Sequence, residues 1–186
     1  RRFQQAGYGG KWGSEMQNDL TDAVKYLVSE GVVDPKRVCI YGSSYGGYAT
    51  MAGLTYTPEI YKCGINYVGI TDVSLLFDSL PKHWEPQREL LKKQIGDPDD
   101  EALMKKISPL YHVDKIVAPL MIVQGAKDPR VVKKHATDLR DALEDRGIVL
   151  TDDEWIMKDD EGHGFQKEEN KIELYTKIEK FLNKHL

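Results

Sequence analysis

Ser44 stands at the centre of Gly42-Ser43-Ser44-Tyr45-Gly46-Gly47, a spacing that can turn a serine hydroxyl into a nucleophile. The run Arg37-Val38-Cys39-Ile40-Tyr41 before it reads as a strand, and Tyr48-Ala49-Thr50-Met51-Ala52-Gly53-Leu54 after it reads as a helix. G-x-S-x-G between strand and helix makes a sharp turn that lifts the hydroxyl clear of the sheet. Gly42 and Gly46 leave room in that turn, and Gly47 lets the helix pack close to the strand. A serine hydroxyl becomes reactive only when a base takes its proton, and the base needs an acid to fix its tautomer. His163, between Gly162 and Gly164 in a short loop, is the candidate base. Asp128, in Gly125-Ala126-Lys127-Asp128 at the end of an apolar strand, is the candidate acid. Asp159 and Asp160 belong to the loop of His163 itself and are too near it in sequence to serve. His83 and His112 lie in a polar insert, His135 in a charged helix start and His185 in the terminal helix. All four are expected to cap or to be solvated.

These residues need a scaffold that brings strand ends together. Ser14-Glu15-Met16-Gln17 reads as a capping box, and Met16, Leu20, Ala23/Val24 and Leu27 follow at helical spacing up to Gly31. Strands are expected at Val38–Tyr41, Gly64–Ile70, Pro119–Gln124 and Glu154–Lys158. A helix with Ala136, Leu139, Ala142 and Leu143 inward precedes Gly147, and the last helix places Ile172, Tyr175, Ile178 and Leu182 on one face. Strands alternating with helices imply an α/β fold with a parallel sheet covered on both sides. Between the second and third strands, about residues 71–116, lies a polar, proline-punctuated insert. It has helical fragments near Arg88–Ile95 and Asp100–Ile107, and it is placed to wall a substrate site.

At 186 residues the chain suits one domain with a sizeable core. Its 26 basic and 30 acidic residues give a net charge of −4 with the signs interspersed, so no basic face for nucleic acid is expected. The longest apolar run, Ala118 to Val123, is too short to cross a bilayer. Cys39 and Cys63 are too few for a disulfide framework and lack metal-ligand spacing. Cys39, within a strand, reads as a small hydrophobe, and neither cysteine is expected to have a nucleophilic or redox role.

The order Ser44…Asp128…His163 is that of α/β-hydrolases. More specifically, the chain resembles the catalytic domain of the prolyl oligopeptidase family of serine peptidases, in its acylaminoacyl-peptidase and dipeptidyl-peptidase-like branches. The resemblance rests on Trp12-Gly13…Asp19 to Val24, Asp34 to Val38, Gly42 to Tyr48, Tyr61 to Gly64, Gly125 to Val131 and Asp160 to Phe165. It implies Ser44 as nucleophile, Asp128 as acid, His163 as base, and the backbone N–H of Tyr45 as an oxyanion donor. It also implies that Arg130 binds a substrate backbone carbonyl, against the alternative of a surface salt bridge. Where similar dipeptidyl peptidases place aromatics around the S1 pocket, this chain offers Ile70, Val73, Leu76 and Leu80. These line either an aliphatic pocket, roomier than one built for proline, or the core.

No cofactor or metal is implied, and the expected partner is a peptide substrate. Family members carry further strands, a second oxyanion donor and usually a β-propeller before the point matching Arg1. The chain is therefore expected to be the C-terminal half of the hydrolase domain, with the Val38–Tyr41 edge unpaired and open to homo-oligomers. Two alternatives to peptidase activity stand beside it: a carboxylesterase using the same triad, and a non-catalytic assembly module.

Overall fold

The computed structural model describes residues 2–186. Two helices, α1 (Arg2–Ala6) and α2 (Glu15–Ser29), lead into strand β1 (Cys39–Ser43), helix α3 (Tyr45–Tyr56) and strand β2 (Cys63–Tyr67). The insert follows as α4 (Val73–Asp78), a 3-10 turn (Lys82–Gln87), α5 (Arg88–Ile95), α6 (Glu101–Ile107) and a second 3-10 segment (Pro109–Lys115). The chain then returns through β3 (Leu120–Gly125), α7 (Lys134–Glu144), β4 (Trp155–Lys158) and α8 (Glu168–His185). No helix among the described residues is long and apolar enough to cross a membrane.

All four strands run parallel in the order β1-β2-β3-β4, which gathers their C-terminal ends along one edge. Side chains alternate across the sheet with period two. Cys63, Ile65, Met121, Val123 and Ile156 meet Leu174, Ile178 and Phe181 of α8 on one face. Leu120 and Ile122 meet Met51 and Leu54 of α3 and Leu139 and Leu143 of α7 on the other. Every residue of β3 is buried, as a central parallel strand must be.

The insert is part of this core rather than an appendage. Tyr48 and Ala52 of α3 pack with Val73, Leu76 and Phe77 of α4 and with Met104 and Ile107 of α6. Its helices start where the sequence supplies caps. Asp72 accepts from the N–H groups of Ser74 and Leu75, and Asp100 from that of Leu103.

Three expectations from the sequence are corrected. Ser14 flanks α2 without capping it, because its hydroxyl turns to the Glu15 carboxylate. Gln17 and Thr21 are the buried residues of α2, whereas Leu20 and Leu27 are exposed. Met16 and Leu20 instead border an open cavity, so their stripe walls a void rather than filling a core. In α8 the buried set is Asn170, Leu174, Ile178 and Phe181, with Ile172 and Tyr175 outward. The Asn170 amide donates to the Glu161 carboxylate at 2.8 Å on the same face that buries Leu174, Ile178 and Phe181.

His135, expected in solvent, is fully buried, and its Nδ1 accepts the N–H of Thr71 at 3.3 Å. Thr71 in turn donates its hydroxyl to the His135 carbonyl at 2.8 Å, tying the end of β2 to the start of α7. Burial pushes the imidazole down to about 4, against weaker opposition from Asp72, Asp138 and Asp128. Because its folded value lies below its unfolded one, this neutral histidine contributes stability that is complete above pH ~6.5 and lost as pH falls toward about 4. Denaturant titrations should show a loss on the order of 2–3 kcal/mol across that window. A flatter profile is expected for His135→Gln, and an identical profile in the variant would refute the assignment.

The outer edge of β1 has no strand partner among the described residues, and Tyr41 there is exposed. An unpaired apolar edge templates strand addition. We propose that isolated chains associate through Val38–Tyr41. Light scattering at micromolar concentration should then report dimers or larger species, and Tyr41→Lys should shift them toward monomer.

Candidate active site

The turn after β1 holds Ser44 at φ 59° and ψ −117°, a left-handed conformation uncommon outside glycine. Its surroundings hold it there. The Ser44 N–H donates to the Tyr67 carbonyl of β2 at 3.0 Å, while its own carbonyl accepts the N–H of Tyr48 at 3.1 Å. A Cβ on Gly42 would overlap the Gly46 carbonyl, so the turn closes only with glycine there. The N–H of Tyr45 lies in the first turn of α3, where no intrahelical acceptor exists, and it is free to meet a developing anion.

Asp128 lies in the loop after β3, its side chain wholly shielded from solvent. One carboxylate oxygen accepts the N–H groups of Arg130 (2.8 Å) and Val131 (3.0 Å). The other faces Nδ1 of His163 at 2.7 Å. The buried Gln124 amide bonds the carbonyls of Gly125 and Val131, each at 3.0 Å, and closes the loop around the acid.

His163 arrives from the loop after β4. Gly125 has no side chain because that loop crosses it, and a Cβ there would strike the Gly162 carbonyl. Glu161, also buried, clamps the loop's far side by accepting the N–H groups of Gln166 (2.8 Å) and Lys167 (2.9 Å) and the Asn170 amide. Burial opposes charging Glu161, but these donors outweigh it and hold the carboxyl below its ordinary range. Phe165 seals the base of the loop against Tyr67.

Nε2 of His163 comes within 3.0 Å of the Ser44 hydroxyl. With Nδ1–H donating to Asp128, Nε2 carries the lone pair and can accept the serine proton. Residues separated by up to 119 positions thus form one continuous chain of hydrogen bonds. Gln124, Glu161 and Asn170, which hold this geometry, carried no recognisable signal in the sequence beyond the position of Glu161 next to Gly-His-Gly. Asp160, the rival acid, points to Lys167 and Asn170. His112 binds the carbonyls of Lys105 and Lys106, and His185 packs edge-on against Phe181.

A cavity of about 940 Å³ opens beside Ser44. Trp12, Tyr45, Ile70, Leu76, Leu80, Trp84, Leu91, Ile95 and Val131 give it largely apolar walls. Trp12 packs its ring edge-on against Tyr45 at 4.9 Å and leans on Tyr48 at 5.1 Å. Ile70 and Leu76 belong to the buried core cluster and also border the cavity, so the two alternatives of the sequence are not exclusive. Val73 does not border the cavity: fully buried, it faces the core shared by α3 and the insert. Trp84 was not anticipated, since its 3-10 turn carries no periodic pattern. Arg130 is exposed on the cavity's rim and makes no ion pair among the described residues.

Comparison with known proteins identifies the family and the fold. The chain is 40% identical to dipeptidyl aminopeptidase BIII of Pseudoxanthomonas mexicana over 97% of its own length and 26% of that protein's. It is 37% identical to dipeptidyl peptidase family member 6 of Caenorhabditis elegans, covering all of this chain and 25% of the other. The structure superposes on a puromycin-hydrolyzing peptidase of Mycobacterium tuberculosis with a TM-score of 0.84, at 27% identity, over 98% of this chain and 27% of that one. It spans about a quarter of the length of each. Its neighbours share the α/β-hydrolase architecture of parallel strands flanked by helices. Residues 1–186 match the model of the prolyl oligopeptidase family throughout, and the chain belongs to that family of serine peptidases.

Proposed function

We propose that this chain carries the acyl-transfer centre of a serine peptidase acting on short peptides. The observation that carries the reading is the unbroken relay from the Asp128 carboxylate through His163 to the Ser44 hydroxyl, at 2.7 and 3.0 Å. In the first half-reaction Nε2 of His163 takes the serine proton as Oγ attacks the peptide carbonyl. The carbonyl oxygen becomes an anion facing the N–H of Tyr45. His163 then returns the proton to the leaving amine, and Ser44 is left acylated. In the second half-reaction the same nitrogen activates water, which releases the acid and restores the serine. Asp128 holds the imidazole in the tautomer that both halves need and stabilises its transient positive charge.

The cavity sets the side chain accepted next to the scissile bond. Apolar walls at Ile70, Leu76, Leu80 and Trp84 favour an apolar residue, and the volume exceeds what a proline ring requires. Arg130 on the rim is positioned to take a backbone carbonyl of the substrate.

A fluorophosphonate probe should label the folded chain at Ser44, and Ser44→Ala should abolish the labelling. A folded sample that resists the probe would remove the catalytic reading. In the full-length protein, His163→Ala should lower peptidase turnover by roughly 10⁶-fold with native stability retained.

Side-chain preference gives a separate check on the cavity. Reporter peptides with leucine or phenylalanine before the scissile bond should be cleaved at least as efficiently as those with proline. Those with aspartate should fall roughly 10²-fold or more behind, because the deep walls are apolar and Arg130 sits on the exposed rim, in the same lining as Glu15 and Asp19. Leu80→Asp should lower the rates for the leucine and phenylalanine reporters, and equal rates for all residues would show that the cavity does not select.

A further inference from the structure

Cys39 and Cys63 are far apart in the chain, yet the β1–β2 ladder puts them directly opposite one another. Both side chains project to the face covered by α8, among Ile65, Phe181 and Leu182. Neighbouring strands lie ~4.8 Å apart, inside the ~4.4–6.8 Å between Cα atoms that a disulfide spans. The Cys39 thiol donates to the carbonyl of its chain neighbour Ile40 at 3.9 Å, and Cys63 is its partner across the ladder. They differ in access: Cys63 is wholly buried on an inner strand, whereas Cys39 is partly exposed on the edge strand.

We propose that this pair is a redox-responsive dithiol that small disulfides, such as oxidised glutathione, convert into a bond between β1 and β2. The neighbouring Cys63 and burial push the Cys39 thiol up, so only a small fraction of it is thiolate, and alkaline conditions raise that fraction. At Cys39, the sulfur within reach of solvent, that thiolate attacks the oxidant. A protein–glutathione disulfide forms and one glutathione thiolate departs. Cys63 then gives up its proton and attacks the Cys39 sulfur, expelling the second glutathione. The protein loses two electrons and two protons, and one molecule of oxidised glutathione becomes two of the reduced form. Cys63 is the resolving thiol by position, because no other sulfur lies against Cys39 and bulky oxidants cannot reach Cys63 first.

The bond would clamp the two strands that position Ser44, since β1 ends in its turn and the Tyr67 carbonyl of β2 accepts its N–H. The inference stands apart from any activity at Ser44.

Trypsin supplies a direct test, because cleavage after Arg37, Lys62 and Lys82 leaves each cysteine in its own peptide. The folded chain is incubated with oxidised glutathione at mildly alkaline pH, blocked with maleimide and digested without reductant. The expected product is peptide 38–62 joined to peptide 63–82, released by reductant, from an intact chain lighter by two hydrogens. Cys63→Ser should instead accumulate glutathione on Cys39, and Cys39→Ser should stay unmodified while folded. The proposal is overturned if glutathione remains on wild-type Cys39 beside a free Cys63. It is equally overturned if the linked peptides come only from intermolecular dimers, or if both thiols survive conditions that oxidise the unfolded chain. The wild-type map decides these outcomes even if a variant fails to fold, which circular dichroism would show.

Discussion

The buried carboxylate of Asp128 is the constraint around which the rest of the site is arranged. Taking an anion out of water costs several kcal/mol unless donors replace the lost hydration. Here the N–H groups of Arg130 and Val131 meet one oxygen and the His163 ring meets the other. That requirement explains the tight loop after β3, the buried Gln124 that closes it, and the bare Gly125 that lets the histidine loop cross above. Glu161 repeats the same solution one loop away, with backbone N–H groups and Asn170 as its donors. Two buried carboxylates, each satisfied by its own loop, therefore fix where the imidazole stands.

The strained turn at Ser44 is the second half of that geometry. A left-handed serine persists only where its neighbours over-determine it. The β2 carbonyl, the α3 helix and the glycines at positions 42 and 47 do so together. Because α3 also shares its core with the insert, the substrate wall and the nucleophile rest on the same packed residues, Tyr48 and Ala52 among them. Changes in the insert should reach the site through this packing rather than through a hinge.

Much of this was legible in the chain itself. Strand and helix periodicity located all four strands and the helices at Arg88–Ile95 and 101–107, because local hydrogen bonding and burial impose those periods. Glycine spacing identified Ser44, and its order with Asp128 and His163 followed from motifs at strand ends. The errors share one cause. An apolar stripe at helical spacing does not show what lies opposite it, and Met16 and Leu20 border a cavity. On α8 the buried face is Leu174, Ile178 and Phe181, with Asn170 bonded to Glu161 at its start, a choice among apolar stripes that spacing alone left open. His135 looked solvated because its sequence neighbours are charged, while its spatial neighbours are Thr71 and Asp72.

The sequence by itself determined the identity of the reacting groups and the local turns that can bear them, since both depend on residue type and short-range sterics. Only the tertiary structure decided which side chains meet. Strand register brought Cys39 beside Cys63, loop closure brought His163 to within 3.0 Å of Ser44, and the packing of α1, α2 and the insert left a cavity next to it. Those are long-range relations, set by how elements pair and fill space, and no local pattern in the chain encodes the distance between two residues more than a hundred positions apart.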